Sequence, residues 1–216
     1  MRAIAAALLA LAPASALGLC VTEGAIAPAP GGAQRVEGAR LRAVAADSDG
    51  LSASLRFRDL GPSAQSQPLA SGEMRRQIGL KLRAQDACNL AYVMWRLAPE
   101  PQIVVSLKLN PGQSRSAECG NRGYANLAQA PAPAGSATWR TLRAETRGAE
   151  LTVTADGRPV WRGALPPAAL KLEGPAGLRA DNTKFEFVFT SAPGSRRGAC
   201  PAEGGNSLAH DFEVSP

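Results

Sequence analysis

A chain of 216 residues, 45% of them hydrophobic, is long enough to bury a substantial core in one domain. Its formal net charge of +6 admits acidic partners, but Lys and Arg never run beyond Arg-Arg pairs, which argues against a nucleic-acid-binding face. After the N-terminus no stretch approaches the roughly 20 apolar residues of a membrane helix.

Residues 1–16 carry a signal-peptide pattern. Met1-Arg2 supplies a positive start, residues 3–12 an apolar Ala/Leu run, Pro13 a break, and Ala14-Ser15-Ala16 a small-x-small cleavage site. Cleavage there sends a mature chain starting at Leu17 to a secreted or periplasmic location. Lipid attachment at Cys20 is disfavoured by the bulky Leu19 before it. Residues 17–40 read as an extended lead-in, because 21–34 are rich in Pro, Gly and Ala.

From residue 41 to 191 the chain alternates apolar and polar residues between turn signals, the mark of strands buried on one face. Leu51, Ala53, Leu55 and Phe57 alternate with Ser52, Ser54 and Arg56. Ile78, Leu80 and Leu82 alternate with Gln77, Gly79, Lys81 and Arg83. Ala91, Val93 and Trp95 alternate with Tyr92, Met94 and Arg96, and Ile103, Val105 and Leu107 with Val104, Ser106 and Lys108. Residues 139–145 and 151–154 continue the pattern, Asp156-Gly157 signals a tight hairpin, and Phe185, Phe187 and Phe189 mark a last strand. Trp139 and Trp161 are expected in the core. Residues 59–73 and 127–136 read as loops, and 192–216 as a C-terminal tail. Strands at this spacing with no helical period predict an all-β fold, a two-sheet antiparallel jelly-roll sandwich.

Four cysteines in an exported chain predict two disulfides. Three pairings are possible. Cys88–Cys119 with Cys20–Cys200 is the preferred one: the first closes a loop of about 30 residues, worth roughly 3–4 kcal/mol in the chain-entropy account, and the second ties the two ends together. Zinc would need closely spaced ligand pairs such as C-x-x-C, which are absent.

The order Trp139-Arg140-Thr141-Leu142-Arg143, Leu151-Thr152-Val153, Asp156-Gly157, Val160-Trp161, then residues 174–182 before the Phe-rich strand, resembles the concanavalin A-like lectin/glucanase superfamily in its laminin-G-like and bacterial sugar-module branches. The resemblance covers about 50 residues well and extends over 41–190 with the preceding strand pattern. It implies a sandwich whose concave face meets carbohydrate. A glucanase of this superfamily would show E-x-D-x-E or E-x-D-x-x-E spacing along one strand, and neither occurs.

Other chemistry is thin. A jelly-roll polysaccharide lyase would use a Tyr with Arg, His or Gln; Tyr92, Arg96 and Lys108 are the candidates, while the only histidine, His210, lies near the C-terminus. The same isolation weakens a Ser-His-Asp triad. No organic cofactor is implied. Calcium could be held at Asp181-Asn182, at Asp86 with Asn89, or at Asp47-Ser48-Asp49-Gly50, which resembles a fragment of a calcium loop. The strongest positive pattern is a glycan surface. Tyr92, Met94, Arg96, Ser106 and Lys108 share one parity, with Arg56, Lys81 and Arg83 following it, and Asn121, Arg122 and Tyr124 form a rim loop. An aromatic among cations and hydroxyls stacks a sugar ring and pairs with an acidic substituent. The expected function is a non-catalytic carbohydrate-binding or cell-envelope module facing a glycan, with an anionic glycan suiting the charge. A jelly-roll lyase or hydrolase and a structural or protein-interaction domain are the alternatives.

Overall fold

The computed structural model describes residues 18–134, 138–195 and Cys200. The expected signal segment, His210 and most of the expected C-terminal tail lie outside the described residues. Fourteen strands follow one another among the described residues: β1 (Leu19–Glu23), β2 (Ala27–Pro28), β3 (Gln34–Val36), β4 (Arg40–Ala45), β5 (Ser48–Pro62), β6 (Arg76–Leu82), β7 (Leu90–Ala98), β8 (Gln102–Lys108), β9 (Tyr124–Pro131), β10 (Arg140–Arg147), β11 (Glu150–Ala155), β12 (Arg158–Ala164), β13 (Gly177–Asp181) and β14 (Thr183–Pro193). Helix is confined to single turns, including α1 (Ser116–Cys119) and α2 (Pro167–Leu170).

The strands form two seven-stranded sheets. The front sheet runs β1-β4-β13-β6-β7-β8-β9 and the back sheet β12-β11-β10-β5-β14-β3-β2. Every pairing is antiparallel. Period-two alternation sends one set of side chains from each sheet into the space between them. Leu41, Ile78, Leu80, Val93, Trp95, Ile103, Val105, Leu107 and Leu178 come from the front sheet; Leu55, Phe57, Leu142, Leu151, Val153, Phe185 and Phe187 come from the back. Phe57 meets Trp95 edge to face across the sandwich, with ring centroids 5.4 Å apart and planes at 80°. Such a pair adds about 0.5–1.5 kcal/mol beyond the area it buries. The expected all-β sandwich is the observed fold.

The tight turn after β11 forms as the Asp-Gly signal requires. Asp156 and Gly157 both take positive φ (49° and 75°), the type I′ combination that matches strand twist. The Asp156 carboxylate also accepts the Thr141 amide at 2.8 Å and pairs with Arg140 at 2.6 Å, fastening the hairpin to β10.

Several segments differ from the sequence reading. The Pro/Gly/Ala-rich lead-in is part of the sandwich: β1 edges the front sheet, β2 edges the back, and β3 lies between β2 and β14. Residues 127–131, read as loop, continue β9. Proline is tolerated in both because these are edge strands, where one side of the backbone has no ladder to join. Trp139 and Trp161 are half-buried rather than core. Trp139 lies on the outside of the back sheet beneath the Arg56 guanidinium, 4.4 Å from the ring centroid. Trp161 packs against the margin of the core.

Both expected disulfides form. Cys88–Cys119 joins the start of β7 to α1, and Cys20–Cys200 joins β1 to the residue that precedes segment 201–216. Two disulfides fit an oxidising compartment, and among the described residues no helix is long and apolar enough to cross a membrane.

The core argument yields a test. Phe57 is fully buried against Trp95, so Phe57→Ala is expected to cost about 3–5 kcal/mol, read as a lower urea midpoint with an unchanged slope.

Candidate functional site

The outward side of the front sheet brings together most of the residues that parity had selected. The strand register arranges them in rows across the sheet. One row reads Asn126, Ser106, Tyr92, Lys81, Gly177, Val44, Cys20 from β9 to β1. The next reads Gln129, Val104, Met94, Gly79, Arg179, Arg42, Glu23, and the one beyond it Pro131, Gln102, Arg96, Gln77, Asp181, Arg40. On the other flank Tyr124 pairs with Lys108, which pairs with Leu90.

Two glycines shape this surface. A Cβ on Gly79 would stand 2.2 Å from the Val93 carbonyl oxygen and 2.9 Å from Met94 Sδ; one on Gly177 would stand 2.2 Å from the Ala43 carbonyl oxygen. Neither backbone contact can yield without separating strands, so both positions require glycine. The missing side chains leave room beside Lys81 and Arg179.

Asp181 organises the charges. Its carboxylate accepts from Arg42 Nη2 at 2.6 Å, Gln77 Nε2 at 2.7 Å and Arg179 Nε at 2.8 Å. Burial alone would raise this carboxyl, but the two guanidinium groups and the amide hold it at about 2. Arg179 is in turn held above the ordinary arginine range, against its own burial, chiefly by Asp181. Arg42 also donates to the Leu41 and Ala180 carbonyls, at 2.8 and 2.7 Å, which fixes it flat on the sheet.

From this anchor Arg179 reaches across the face. Its Nη1 donates to the Tyr124 hydroxyl at 3.1 Å. Those residues belong to β13 and β9, four strand spacings apart, or about 19 Å in a flat sheet. An arginine and a tyrosine extended toward each other fall short of that, so the front sheet bows inward here and its outward side is concave. Beneath this arch the Tyr92 ring lies stacked with Tyr124, centroids 6.0 Å apart and planes at 20°, with the Arg179 guanidinium 5.1 Å from its centroid. Lys108 donates to the Ala87 carbonyl at 3.2 Å and stands 5.3 Å from the Tyr124 ring centroid.

The alternation predicted a wetter outer layer, and this part of it is not wet. Lys81, Tyr92, Met94, Ser106 and Lys108 are all buried, because side chains converge over a concave sheet. Tyr124 remains 38% exposed and Asn126 is exposed. Lys81 is 7% exposed, with Glu23 and Asp181 near enough to act on its charge. Burial, reinforced by the like charges of Arg42 and Arg179, pushes its ammonium down to about 7. The Tyr92 hydroxyl is driven the opposite way by the same burial, up to about 12. A phenol so reluctant to ionise is badly matched to the general-base role that a lyase would demand.

Other predicted residues lie elsewhere. Arg56 shares parity with the front face but sits on β5, so it projects from the outer side of the back sheet onto Trp139. Arg83 follows β6 with φ of 48°, which breaks the alternation; its Nη1 donates to the Leu170 and Leu172 carbonyls at 3.0 and 3.1 Å, away from the face. Arg96 does share the front face, at the far end from Lys108.

The rim loop is largely self-supporting. The Glu118 carboxylate accepts the Ser114 and Arg115 amides at 3.0 Å, and Arg122 donates to the Glu118 and Cys119 carbonyls. These bonds explain why so polar a stretch flanks Cys119: its side chains supply partners to a loop that has little regular structure. Asn121 is exposed on it, and Tyr124 alone of the three rim candidates joins the aromatic arch.

Most carboxylates of the calcium candidates are already engaged, Asp47 Oδ1 being buried without a hydrogen-bond partner among the described residues. Asp181 already faces two guanidinium groups, and the Asn182 side chain accepts the Gln67 amide and donates to the Gln67 and Arg75 carbonyls, pinning the loop between β5 and β6. Asp86 caps the Cys88 amide and holds Asn89, and Asp49 accepts the Leu51 amide. Among the described residues, no group of three or more His, Cys, Asp or Glu is placed to hold a metal. Sequence reasoning missed Arg42, Arg179 and Gln77. The polar parity of residues 177–181 was a usable signal for Arg179.

Comparison with models of known protein families finds no match, and comparison with curated proteins finds none either. Solved structures do match. The carbohydrate-binding module CBM66 from Bacillus subtilis superposes with a TM-score of 0.56 at 15% identity, over 82% of this chain and 94% of the module. The fold is that of a lectin-like jelly roll. A Bacillus subtilis protein of unknown function with a galectin-like fold aligns with a TM-score of 0.52 at 10% identity, over 82% of this chain and 90% of its own. The carbohydrate recognition domain of Emp46p aligns with a TM-score of 0.50 at 11% identity, covering 80% and 85% respectively. In this lectin-like fold the concave sheet carries the Asp181 network, and the back sheet carries Trp139.

Two outcomes follow from the charges. Asp181→Asn leaves Arg179 without its counter-ion and Arg42 with Glu23 alone at 3.7 Å, and is expected to lower stability by about 3 kcal/mol in urea unfolding. Lys81 sits at about 7 folded and near 10.5 unfolded, so the unfolded chain binds more protons between those values and stability contributed at this site climbs with pH across the window. Lys81→Met should therefore stabilise most below pH 7, with the advantage over wild type fading toward pH 10.5; a pH-independent difference in urea midpoint would contradict a buried, partly neutral lysine.

Proposed function

We propose that this chain is a carbohydrate-binding module that takes a glycan on the concave front sheet, and that the glycan carries negative charge. The observation behind this reading is the Tyr92–Tyr124 stack capped by Arg179 and set among cations. Arg40, Arg42, Lys81, Arg96, Lys108 and Arg179 share the strands of this face with Glu23 and Asp181, while Glu73 and Asp86 stand near Arg96 and Lys108 from flanking loops. The likeness to solved carbohydrate-binding domains supports the fold side of the reading.

The chemistry is direct. The exposed part of the Tyr124 ring offers a hydrophobic plate for the C–H face of a pyranose. Asn126, Gln129, Gln102 and Arg96 lie along the same surface and can exchange hydrogen bonds with ring hydroxyls. A carboxylate or sulfate brought toward Lys81 and Arg179 meets one buried cation and a second already oriented by Asp181. Such an anion would draw Lys81 back to its charged form, so binding should tighten as pH falls from 8 to 6.

The test is retention on immobilised polygalacturonate and on its methyl-esterified form, with a sulfated polysaccharide in parallel. Wild type should be retarded by the charged polymers, more at pH 6 than at pH 8, and released by salt. Tyr124→Ala should lose most of the retention while Arg56→Ala, on the opposite sheet, keeps it. Equal behaviour of these two variants would move any binding off the front sheet.

A further inference from the structure

We infer that Gln77 and Arg96 form a hydroxyl-reading subsite at one end of the front face, where a free sugar hydroxyl donates to Gln77 Oε1 and accepts from Arg96 Nε. The inference rests on the front face being the glycan site, and it names what that site selects.

The two residues are direct partners across β6 and β7, on the outward side of the sheet. Side chains so placed start about 5 Å apart at Cβ. Gln77 is 3% exposed. One prong of its amide is spent, because Nε2 donates to Asp181 Oδ2 at 2.7 Å. That bond also fixes which prong is which. The Asp181 carboxyl, held at about 2, is ionised at neutral pH; it only accepts, so the NH2 group must face it. Asp181 lies on β13, to one side of β6, and Arg96 lies on β7, to the other. The amide oxygen is therefore left on the side of Arg96.

Both atoms lack a partner. Gln77 Oε1 and Arg96 Nε are each buried without a hydrogen bond, although they belong to neighbouring side chains and one accepts while the other donates. Buried polar groups are nearly always satisfied, and an orphan calls for a reason. The charges nearby do not supply one. Glu73 acts on Arg96, but its carboxylate is bonded to Arg75 and Ser71, and Arg75 opposes it with like charge.

A hydroxyl serves both atoms at once, giving its proton to the amide oxygen and a lone pair to the N–H. A carboxylate or sulfate only accepts, so it would suit Arg96 and set a second negative oxygen against Gln77. An ester or ether oxygen has no proton to give and leaves Gln77 unpaired. Arg96 is only half-buried, so its side chain has solvent to turn into and a hydroxyl has a way in.

Position sets the ligand class. Gln77 stands four residues along β6 from Lys81, about 14 Å of strand, which is further than one pyranose ring extends. With the acidic substituent near Lys81 and Arg179, the hydroxyl read at Gln77 belongs to another residue of the chain. The ligand is an acidic oligosaccharide laid along β6 and β7, with an unesterified hydroxyl at the Arg96 end.

Retention on immobilised polygalacturonate and on its O-acetylated form, whose carboxylates stay free, tests this with wild type, Arg96→Lys and Arg96→Met, each confirmed as folded by its urea midpoint. Wild type should hold the acetylated polymer about tenfold more weakly. Arg96→Lys keeps the charge but not the placed N–H, so its preference should fall to about one while retention persists. Arg96→Met should lose the preference and hold both polymers more weakly. A preference that survives in Arg96→Lys would overturn the inference. So would equal retention of both polymers by wild type, which means that the pair is bridged by water and reads no sugar. In either case loss of retention in Tyr124→Ala leaves the glycan reading standing. Absence of wild-type retention on every polymer removes that reading and the subsite with it.

Discussion

The front face depends on one buried carboxylate. Asp181 lies in β13 between strands that supply Arg42 and Gln77, and it orients Arg179 two residues before it. Without that carboxylate, Arg179 loses the partner that aims it over Tyr92 toward Tyr124, and two guanidinium groups would stand buried beside Lys81 with Glu23 alone to balance them. Ion pairs of this kind seldom add net stability over a well-packed apolar alternative. What this one contributes is position. It holds a cation and two aromatic rings in a fixed relation across five strands, which an apolar cluster could not do with the same directionality.

The two outward surfaces of the sandwich are built differently. On the front, curvature brings side chains together and buries them. On the back, Glu186 is clamped between Arg35 and Arg58, Arg56 and Arg58 lie over Trp139, and Glu145 bridges Arg143 and Arg147. Most of those arginines already have a carboxylate partner. Basic residues are therefore abundant on both sides, but those of the concave one lie deeper, where screening by water is weakest.

Much of the sandwich could be read from the residues. Alternation of Ile78, Leu80 and Leu82, or of Phe185 and Phe187, reports which side chains enter a core, because a strand offers only two sides. Asp156-Gly157 reports its turn because few residue pairs accept two positive φ values. Three things were hidden. Parity separates inward from outward but not one sheet from the other, which is why Arg56 was grouped with Tyr92. It also assumes an unbroken strand, and the positive φ of Arg83 turns that side chain aside. Finally, whether an outward residue is wet depends on what arches above it. Arg179 and Tyr124 are 55 residues apart, and Arg42 and Asp181 are 139 apart, so no local pattern could join them. Composition misled in two further places: Pro, Gly and Ala made residues 21–34 look like a lead-in outside the sheets and 127–131 like a loop, although edge strands accept such residues freely.

Those same edges have a bearing on how copies of the molecule behave when crowded. The outermost back-sheet strand on one side is only two residues long and ends in Pro28; the opposite one contains Pro159, a break in register and the charged Arg158 and Arg162. In the front sheet β9 closes on Pro131 and β1 is irregular between Val21 and Glu23. A polymer presenting many equivalent attachment points would gather such domains shoulder to shoulder, the circumstance in which exposed ladders zip into aggregates. With each lateral margin short, kinked or lacking an amide hydrogen, neighbours can sit close together and still come apart one by one.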